Sequence, residues 1–96
     1  MTPVKRIEII ASEKELRRIL KTLDQVGIPG YTVIKPVTGK SPHGQVSEDM
    51  EFTDLGANAY VLVFCEAALV EPTLTALKPT LDYFGGICFV SDAQRI

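Results

Sequence analysis

Cysteine and histidine offer the most versatile side-chain chemistry in this chain, and both are scarce. The two cysteines, Cys65 and Cys88, lie inside apolar runs, whereas the single histidine, His43, lies in a polar stretch. The cysteines lack metal-ligand spacing, so buried free thiols are a simpler interpretation than a redox pair. A histidine in such a stretch is poorly placed to be held in line with a nucleophile, so we do not expect a catalytic triad.

The polar stretch covers residues 36–58 and holds four of the twelve carboxylates of the chain. Its carboxylates are Glu48, Asp49, Glu51 and Asp54. None of them has an evident partner for general acid–base catalysis, and one histidine among acids is weak evidence for a metal site. We therefore predict neither catalytic residues nor a metal site. A segment of this length without a packing pattern is either functional or disordered.

The sequence before this segment predicts a strand and a helix. Residues 4–11 alternate as a half-buried strand does. Ser12 and Glu15 then form a capping-box pattern, apolar residues recur at helical spacing, and Gly27 suits a left-handed C-cap. The other helix face is basic, which we interpret as solvated surface rather than an anion site. Its residues are Lys14, Arg17, Arg18 and Lys21.

Three further strands and a second helix complete the pattern. Residues 31–35 predict a second strand that ends at Pro36, because proline cannot donate to a sheet ladder. Residues 59–65 are continuously apolar and predict a central strand. A second helix begins near Glu71 and Pro72, and Pro79 is expected to kink it or end it early. Gly85 and Gly86 turn the chain into a fourth strand, residues 87–90, followed by a short polar tail.

The order β-α-β-loop-β-α-β predicts the fold class. It is typical of an α+β, ferredoxin-like βαββαβ sandwich, with a four-stranded antiparallel sheet and two helices on one face, in a single domain over residues 1–96. The first and third strands carry apolar residues on both faces. We therefore expect the uncovered sheet face to pack against copies of the same chain.

Composition argues against several classes of partner. The chain has 96 residues, 46% of them hydrophobic, and a net charge of −2, which fits one small domain. Its ten basic side chains are scattered among twelve acidic ones, so nucleic acid is not an expected partner. The longest apolar run, residues 60–65, is far shorter than the ~20 residues that span a bilayer. The amino terminus lacks a signal-peptide pattern, so we expect a cytoplasmic protein without direct membrane insertion.

Three stretches of the sequence resemble PII signalling proteins and their PII-like relatives. The run "EKELRRILKTLDQVGIPGYTVIKPVTG" resembles their first helix, second strand and T-loop entry, with "VGIxGYTV" as the most specific part. The run "AYVLVFCEAALVEPTLTAL" resembles their third strand and second helix, and "YFGGICFVSDAQRI" resembles their B-loop and fourth strand. The resemblance covers essentially the whole chain and makes residues 36–58 the T-loop. It implies a homotrimer with nucleotide sites in clefts between subunits.

The same resemblance implies which residues bind the nucleotide. The adenine would be read by the backbone of the third strand at Val63 and Phe64 and by Thr32, with Ile10 packing against the ring. Backbone amides at glycine turns would approach the phosphates closely because no Cβ is in the way, and lysine would neutralise their charge. The remaining nucleotide-binding positions are Lys35, Thr38, Gly39, Lys40, Gly85, Gly86 and Ile87. Several of these positions also have a structural explanation: Thr32 as a β-former, Val63 and Ile10 as core residues, and Gly85-Gly86 as a turn.

Departures from the PII pattern favour one branch of relatives. The run "GGICF" lacks the basic residue that follows the B-loop glycine in PII proteins, and the sequence ends before their arginine-containing C-terminal segment, so we expect a weaker hold on a triphosphate. Residues 36–58 contain no tyrosine for nucleotidylation, and Ala57 stands where a lysine accompanies magnesium-dependent 2-oxoglutarate binding. The profile is similar to carboxysome-associated and bicarbonate-transporter-associated PII-like proteins.

The leading hypothesis is a non-enzymatic regulator that binds ADP or AMP in preference to ATP, with bicarbonate as a further candidate ligand and no metal. Nucleotide binding would switch the T-loop and so regulate a partner in inorganic carbon metabolism, such as a transporter or a carboxysome component. Two alternatives stay open. One is slow nucleotide hydrolysis in the same cleft. The other is a trimeric ferredoxin-like protein of the divalent-cation-tolerance type, with metal bound by His43 and neighbouring acids.

Overall fold

The computed structural model describes residues 1–39 and 57–96. Within these ranges the elements are β1 Thr2–Ser12, α1 Leu16–Val26, β2 Thr32–Val37, β3 Asn58–Cys65, α2 Val70–Phe84 and β4 Gly86–Arg95. Short 3₁₀ turns, Glu13–Glu15 and Ala67–Leu69, precede the two helices. The strands form one antiparallel sheet in the order β2-β3-β1-β4. The predicted ferredoxin-like sandwich is confirmed, and β3 is central as expected.

The core lies between the helices and one face of the sheet. Successive side chains of a strand leave opposite faces, so every second residue of β1 and β3 points toward the helices. The helices meet these residues with apolar side chains at helical spacing. The core residues are Ile7, Ile9, Ala11, Ile19, Leu23, Ile28, Val61, Val63, Cys65 and Leu77. Cys65 therefore belongs to the core, Cys88 packs against it, and both thiols are free as predicted.

The ends of α1 follow the sequence signals only in part. Ser12 Oγ accepts a hydrogen bond from the Lys14 N–H at 3.2 Å, so the predicted cap forms on the 3₁₀ turn that precedes the helix. The Glu15 carboxylate pairs with Arg18 at 3.3 Å instead of completing the capping box. Gly27 ends the helix in the left-handed conformation, with φ of 98°, as predicted.

Pro36 and Pro79 interrupt the regular structure less than the chemistry of proline suggests. The prediction that β2 ends at Pro36 is wrong, because the strand continues to Val37. Its pairing with β3 shifts by one residue between Ile34 and Val37, which forms a bulge on this edge strand. Pro36 lies in the bulge, so the ladder does not need the N–H that proline lacks. Of the two outcomes expected at Pro79, a kink or an early end, the early end does not occur, because the second helix runs on to Phe84. Thr75, whose carbonyl loses its helical donor, is exposed, so water can replace that bond.

The predicted polar tail is in fact the second half of β4, which runs to Arg95. It pairs with the beginning of β1, from Lys5 opposite Asp92 to Thr2 opposite Arg95, and Lys5 and Asp92 also form an ion pair. The sequence prediction ended the strand at residue 90 because the remainder, which is partly exposed, has a polar composition. The fourth strand therefore continues past residue 90, where it was predicted to end, to Arg95.

The sheet face opposite the core, called the open face below, is covered by neither helix of the described residues. It is formed by Arg6, Glu8, Ile10, Thr32, Ile34, Tyr60, Leu62, Phe64, Ile87, Phe89 and Ser91. Three of its apolar side chains are strongly exposed, namely Ile34 at 52%, Phe64 at 47% and Phe89 at 59%. So much exposed apolar surface on one face indicates a surface for association.

A polar cluster lies in the middle of the open face. The Tyr60 hydroxyl donates to Glu8 Oε2 at 2.7 Å, and Arg6 Nε donates to Ser91 Oγ at 3.0 Å. Arg6 also lies 3.5 Å from Glu8 Oε1. The hydrogen bond to the Glu8 carboxylate, with desolvation second, raises the pKa of Tyr60 above its usual value. These polar groups therefore find partners within one chain.

Candidate functional site

The predicted adenine-reading residues lie at one end of the sheet, where β3 extends beyond β2. Thr32, the first residue of β2, is paired with Leu62, whereas Val63 and Phe64 are paired only with β1 among the described strands. The Val63 side chain is fully buried in the core, so only its main chain could contact a ligand. Phe64 lies on the open face with its ring half exposed. An unpaired strand edge offers N–H and C=O groups, which is the chemistry that reading a base edge requires.

Ile10 and Ile87 are brought together by the sheet. They are direct cross-strand partners on β1 and β4, and Tyr60 is the partner of Ile10 on the other side. Both isoleucine side chains are half-buried on the open face. They form an apolar platform and supply no polar group of their own.

The glycines of the turn before β4 are required by the fold itself. Gly85 has a φ of 78° and ends α2, where its N–H donates to the Leu81 carbonyl at 3.0 Å. A Cβ on Gly86 would lie 2.8 Å from Leu81 Cδ2 and 3.2 Å from the Ile10 carbonyl oxygen. Both positions thus need glycine for conformation or close packing. Their predicted role toward a phosphate is additional to this structural one.

The remaining predicted residues lie where β2 ends. Thr38 and Gly39 are exposed, and Lys40 lies outside the described residues. Lys35 Nζ lies 3.8 Å from Glu13 Oε1, and its side chain is 55% exposed. A groove of about 480 Å³ runs beside it, lined by residues of α1 and the preceding turn together with Lys35. The cation and the exposed backbone could receive an anionic group here.

The predicted residues do not converge within one chain. Call Thr32, Val63 and Phe64 the strand-end group, and residues 35–39 with 85–87 the turn group. At about 3.3 Å per residue, Phe64 is about 20 Å along β3 from Asn58, the partner of Val37. The two parts of the turn group lie on the outermost strands, β2 and β4, about 14 Å apart across the sheet. A single ligand could not contact all of them in one subunit.

A second cavity lies at the strand-end group and contains residues that sequence reasoning missed. Its volume is about 660 Å³, and Phe64, Glu66, Pro29 and Arg95 are among the residues that line it. Arg95 was assigned to a polar tail, whereas β4 carries it to this end of the sheet. The alternation of side chains in "CFVSDAQR" was the available signal for this longer strand.

The thiols of the described residues do not form a reactive site. Burial raises the pKa of Cys88 to about 11, and burial is also the main cause of a raised pKa at Cys65. A raised pKa leaves little thiolate at neutral pH.

In residues 1–39 and 57–96 no cluster of His, Cys, Asp and Glu could hold a metal ion. His43 and the acids near it lie outside these ranges. Neither helix of the described chain is long and apolar enough for a membrane span.

The chain is similar to solved structures of a PII-like protein. The chain is 29% identical to CPII, a nitrogen regulatory PII-like protein from Thiomonas intermedia K12, whose structure is bound to ADP, AMP and bicarbonate. The TM-score is 0.83, with 97% of this chain and 88% of the other covered. CPII bound to ADP and bicarbonate gives 30% identity, a TM-score of 0.82 and the same coverage. No curated protein sequence matches the chain.

A more distant structure shows how widely the fold occurs. A DUF3240 family protein from Shewanella baltica OS155 is 16% identical, with a TM-score of 0.73 over 100% of this chain and 96% of that one. At that identity the likeness concerns the fold alone. The sequence model of the family described as nitrogen regulatory protein P-II, by contrast, matches residues 4–96. This match over nearly the whole chain shows that the chain belongs to the P-II family.

Proposed function

We propose that this chain forms a homotrimer through its open face and binds an adenine nucleotide in the grooves between subunits. The observation that carries the proposal is the likeness, over 97% of the chain, to CPII bound to ADP, AMP and bicarbonate. ADP and AMP are the proposed effectors in preference to ATP, with bicarbonate as a second ligand. The protein acts as a regulator and not as an enzyme.

The composition of the open face supports assembly. Ile34, Phe64 and Phe89 expose between 47% and 59% of their surface on this one face. Covering roughly 800 Å² per partner is enough for a stable contact. The polar cluster of Arg6 and Glu8 is already hydrogen-bonded within the chain, so burying it leaves fewer polar groups without partners.

The dispersal of the predicted residues supports a site shared between subunits. The strand-end group and the turn group lie about 20 Å apart in one chain. A neighbouring copy, packed against the open face, can bring its turn group next to the strand-end group of the first. In such a groove the unpaired edge at Val63 and Phe64 reads the base, while the turn group of the neighbour receives the phosphates.

The charge of the turn group supports a short phosphate chain. Lys35 is its cation among the described residues, and Lys40 follows in the sequence. Each further phosphate adds negative charge, so two lysines neutralise a smaller share of the charge of a triphosphate than of a mono- or diphosphate. The turn group therefore suits a mono- or diphosphate better.

The output of the protein is proposed to be the regulation of another protein. Family membership supports a signalling role, and the bicarbonate in CPII supports a link to inorganic carbon. We propose that residues 36–58 act as the T-loop, which the nucleotide switches, and that the regulated partner is a transporter or a carboxysome component. The protein itself is proposed to be cytoplasmic.

Isothermal titration calorimetry with AMP, ADP and ATP, with and without bicarbonate, tests the proposal. We expect micromolar binding of ADP and AMP and weaker binding of ATP. Lys40→Ala should weaken ADP binding by about 1–2 kcal/mol, since one charge-assisted contact is lost. Lys78→Ala on α2 removes the same charge from a side chain that pairs with Asp82 and should leave affinity unchanged. Absence of heat with all three nucleotides would reject the proposed function.

A further inference from the structure

Glu13 contacts both chain segments that border the described ranges. Its backbone N–H donates to the Ala57 carbonyl at 2.8 Å, just before β3. Its carboxylate Oε1 lies 3.8 Å from Lys35 Nζ, near the end of β2. The residue occupies the 3₁₀ turn between β1 and α1, so its position is fixed by two regular elements. Neither sequence pattern nor the proposed nucleotide site assigns it a role.

The ion pair with Lys35 is weak and open to exchange. The Glu13 side chain is 30% exposed and that of Lys35 is 55% exposed, and 3.8 Å is at the long end for an ion pair. Pairs of this kind contribute at most about 1 kcal/mol in water. A phosphate that forms a shorter, charge-assisted contact with Lys35 can therefore replace the carboxylate.

Charged side chains of both signs surround Lys35. The groove beside Lys35 is also lined by Arg17 and Lys21, with Asp24 as a further acid. Glu13 and Asp24 thus partly neutralise three cations. An anion that approaches Lys35 meets the Glu13 carboxylate as its nearest negative charge among the groove residues, and the two repel each other.

We propose that Glu13 is an internal competitor for the phosphate of the bound nucleotide. Its carboxylate occupies Lys35 in the free protein and lowers the affinity for every ligand that must displace it. This inference rests on the proposed function, because Lys35 belongs to the proposed nucleotide site. The repulsion grows with the number of phosphates, so Glu13 disfavours ADP more than AMP and leaves adenosine unaffected.

Glu13→Gln separates this role from a purely structural one. The substitution removes the charge but keeps the size of the side chain and the backbone bond to Ala57. If Glu13 served only to anchor the chain, loss of its ion pair would weaken ligand binding or leave it unchanged. Competition predicts the opposite sign.

The experiment is calorimetric titration of the full chain with adenosine, AMP and ADP. We expect Glu13→Gln to tighten ADP binding about two- to fivefold, the range that an exposed ion pair allows, to tighten AMP binding less, and not to change adenosine binding. Glu13→Asp, which shortens the side chain by one methylene, should act in the same direction. It provides a second variant if the amide does not fold.

Glu15→Gln is the matched control. Glu15 lies in the same turn and pairs with Arg18 at 3.3 Å. Its substitution therefore removes the same charge without affecting the ion pair of Lys35. The Glu15→Gln protein should bind ADP with the affinity of the wild type. In a second control, Glu13→Gln should have no effect on ADP affinity when Lys35 is also replaced by alanine. Wild-type binding of ADP without tightening in Glu13→Gln overturns the inference and leaves the proposed function intact. Tightening that persists in Lys35→Ala also overturns it, and a wild type that binds none of the ligands refutes both.

Discussion

Phe89→Ala is expected to dissociate the proposed assembly. Phe89 lies on β4 opposite Glu8, in the open face, with 59% of its surface exposed. A phenylalanine buries about 200 Å² when fully covered, so contact with another copy would remove about 120 Å² from water. At about 25 cal/mol per Å², and after allowing for the surface that alanine keeps, the substitution loses about 2 kcal/mol per chain.

This loss is multiplied by the symmetry of a trimer. Three chains lose about 6 kcal/mol together, which lowers the formation constant of the trimer by about 10⁴. In an equilibrium between monomer and trimer, the midpoint concentration of assembly varies as the inverse square root of the formation constant. The midpoint therefore shifts upward by about 100-fold. Sedimentation velocity over a concentration series measures this midpoint directly.

Tyr83→Ala provides the control for the assembly prediction. Tyr83 is 82% exposed, more than Phe89, but it lies on α2, away from the open face. Its replacement should leave the mass distribution unchanged. A Phe89→Ala protein that assembles like the wild type, or a Tyr83→Ala protein that dissociates, would refute the assignment of the open face as the contact surface.

Three further predictions concern stability and thiol chemistry. Gly86→Ala should lower the free energy of unfolding by about 1–3 kcal/mol, because the new Cβ would lie 3.2 Å from the Ile10 carbonyl oxygen. Gly30→Ala, which places its Cβ in open space, should leave the free energy of unfolding unchanged, and urea denaturation compares the two variants. Leu77→Ala should cost about 2–5 kcal/mol in the same assay, since Leu77 is fully buried, and a loss below 1 kcal/mol would contradict its place in the core. Cys88 should be alkylated about 100-fold more slowly at pH 8 than a thiol with the ordinary pKa of 9.0, because burial raises its pKa to about 11 and the thiolate forms only as the pH rises through that value. Iodoacetamide labelling of the folded protein followed by mass spectrometry would show a contradiction as rapid modification at Cys88.

The fold was predictable because its elements have local signals. Alternation fixed β1, helical spacing and Gly27 fixed α1, and the continuous apolar run of β3 indicated its central place. Those signals arise from burial on one side, which any sequence with this core must show. The order of helices and strands along the chain, and with it the fold class, follows from these signals.

The boundaries that failed depend on tertiary contacts that no local pattern reports. Pro36 is tolerated because β2 is an edge strand with a bulge, and Pro79 because Thr75, one turn earlier, is an exposed residue. The second half of β4 is a strand because β1 begins early enough to pair with Arg95. Each depends on the partner that a segment meets in the fold.

The candidate site was predictable only as a set of residues. Resemblance supplied Thr32, Phe64 and Gly86, but only the sheet register reveals that they lie in separate places. The structure also shows that Arg95 and Phe64 line the same cavity and that Glu13 lies close to Lys35. Such contacts join residues that are distant in sequence, and neither composition nor spacing encodes them.

A crystal structure of the protein with ADP tests the central claim, that one nucleotide is held by two copies of the chain, most directly. The account predicts ADP in a groove with its base against Thr32 and Phe64 of one subunit and its phosphates against the turn group of another. An ADP molecule bound entirely within one subunit, or bound away from both residue groups, would contradict it.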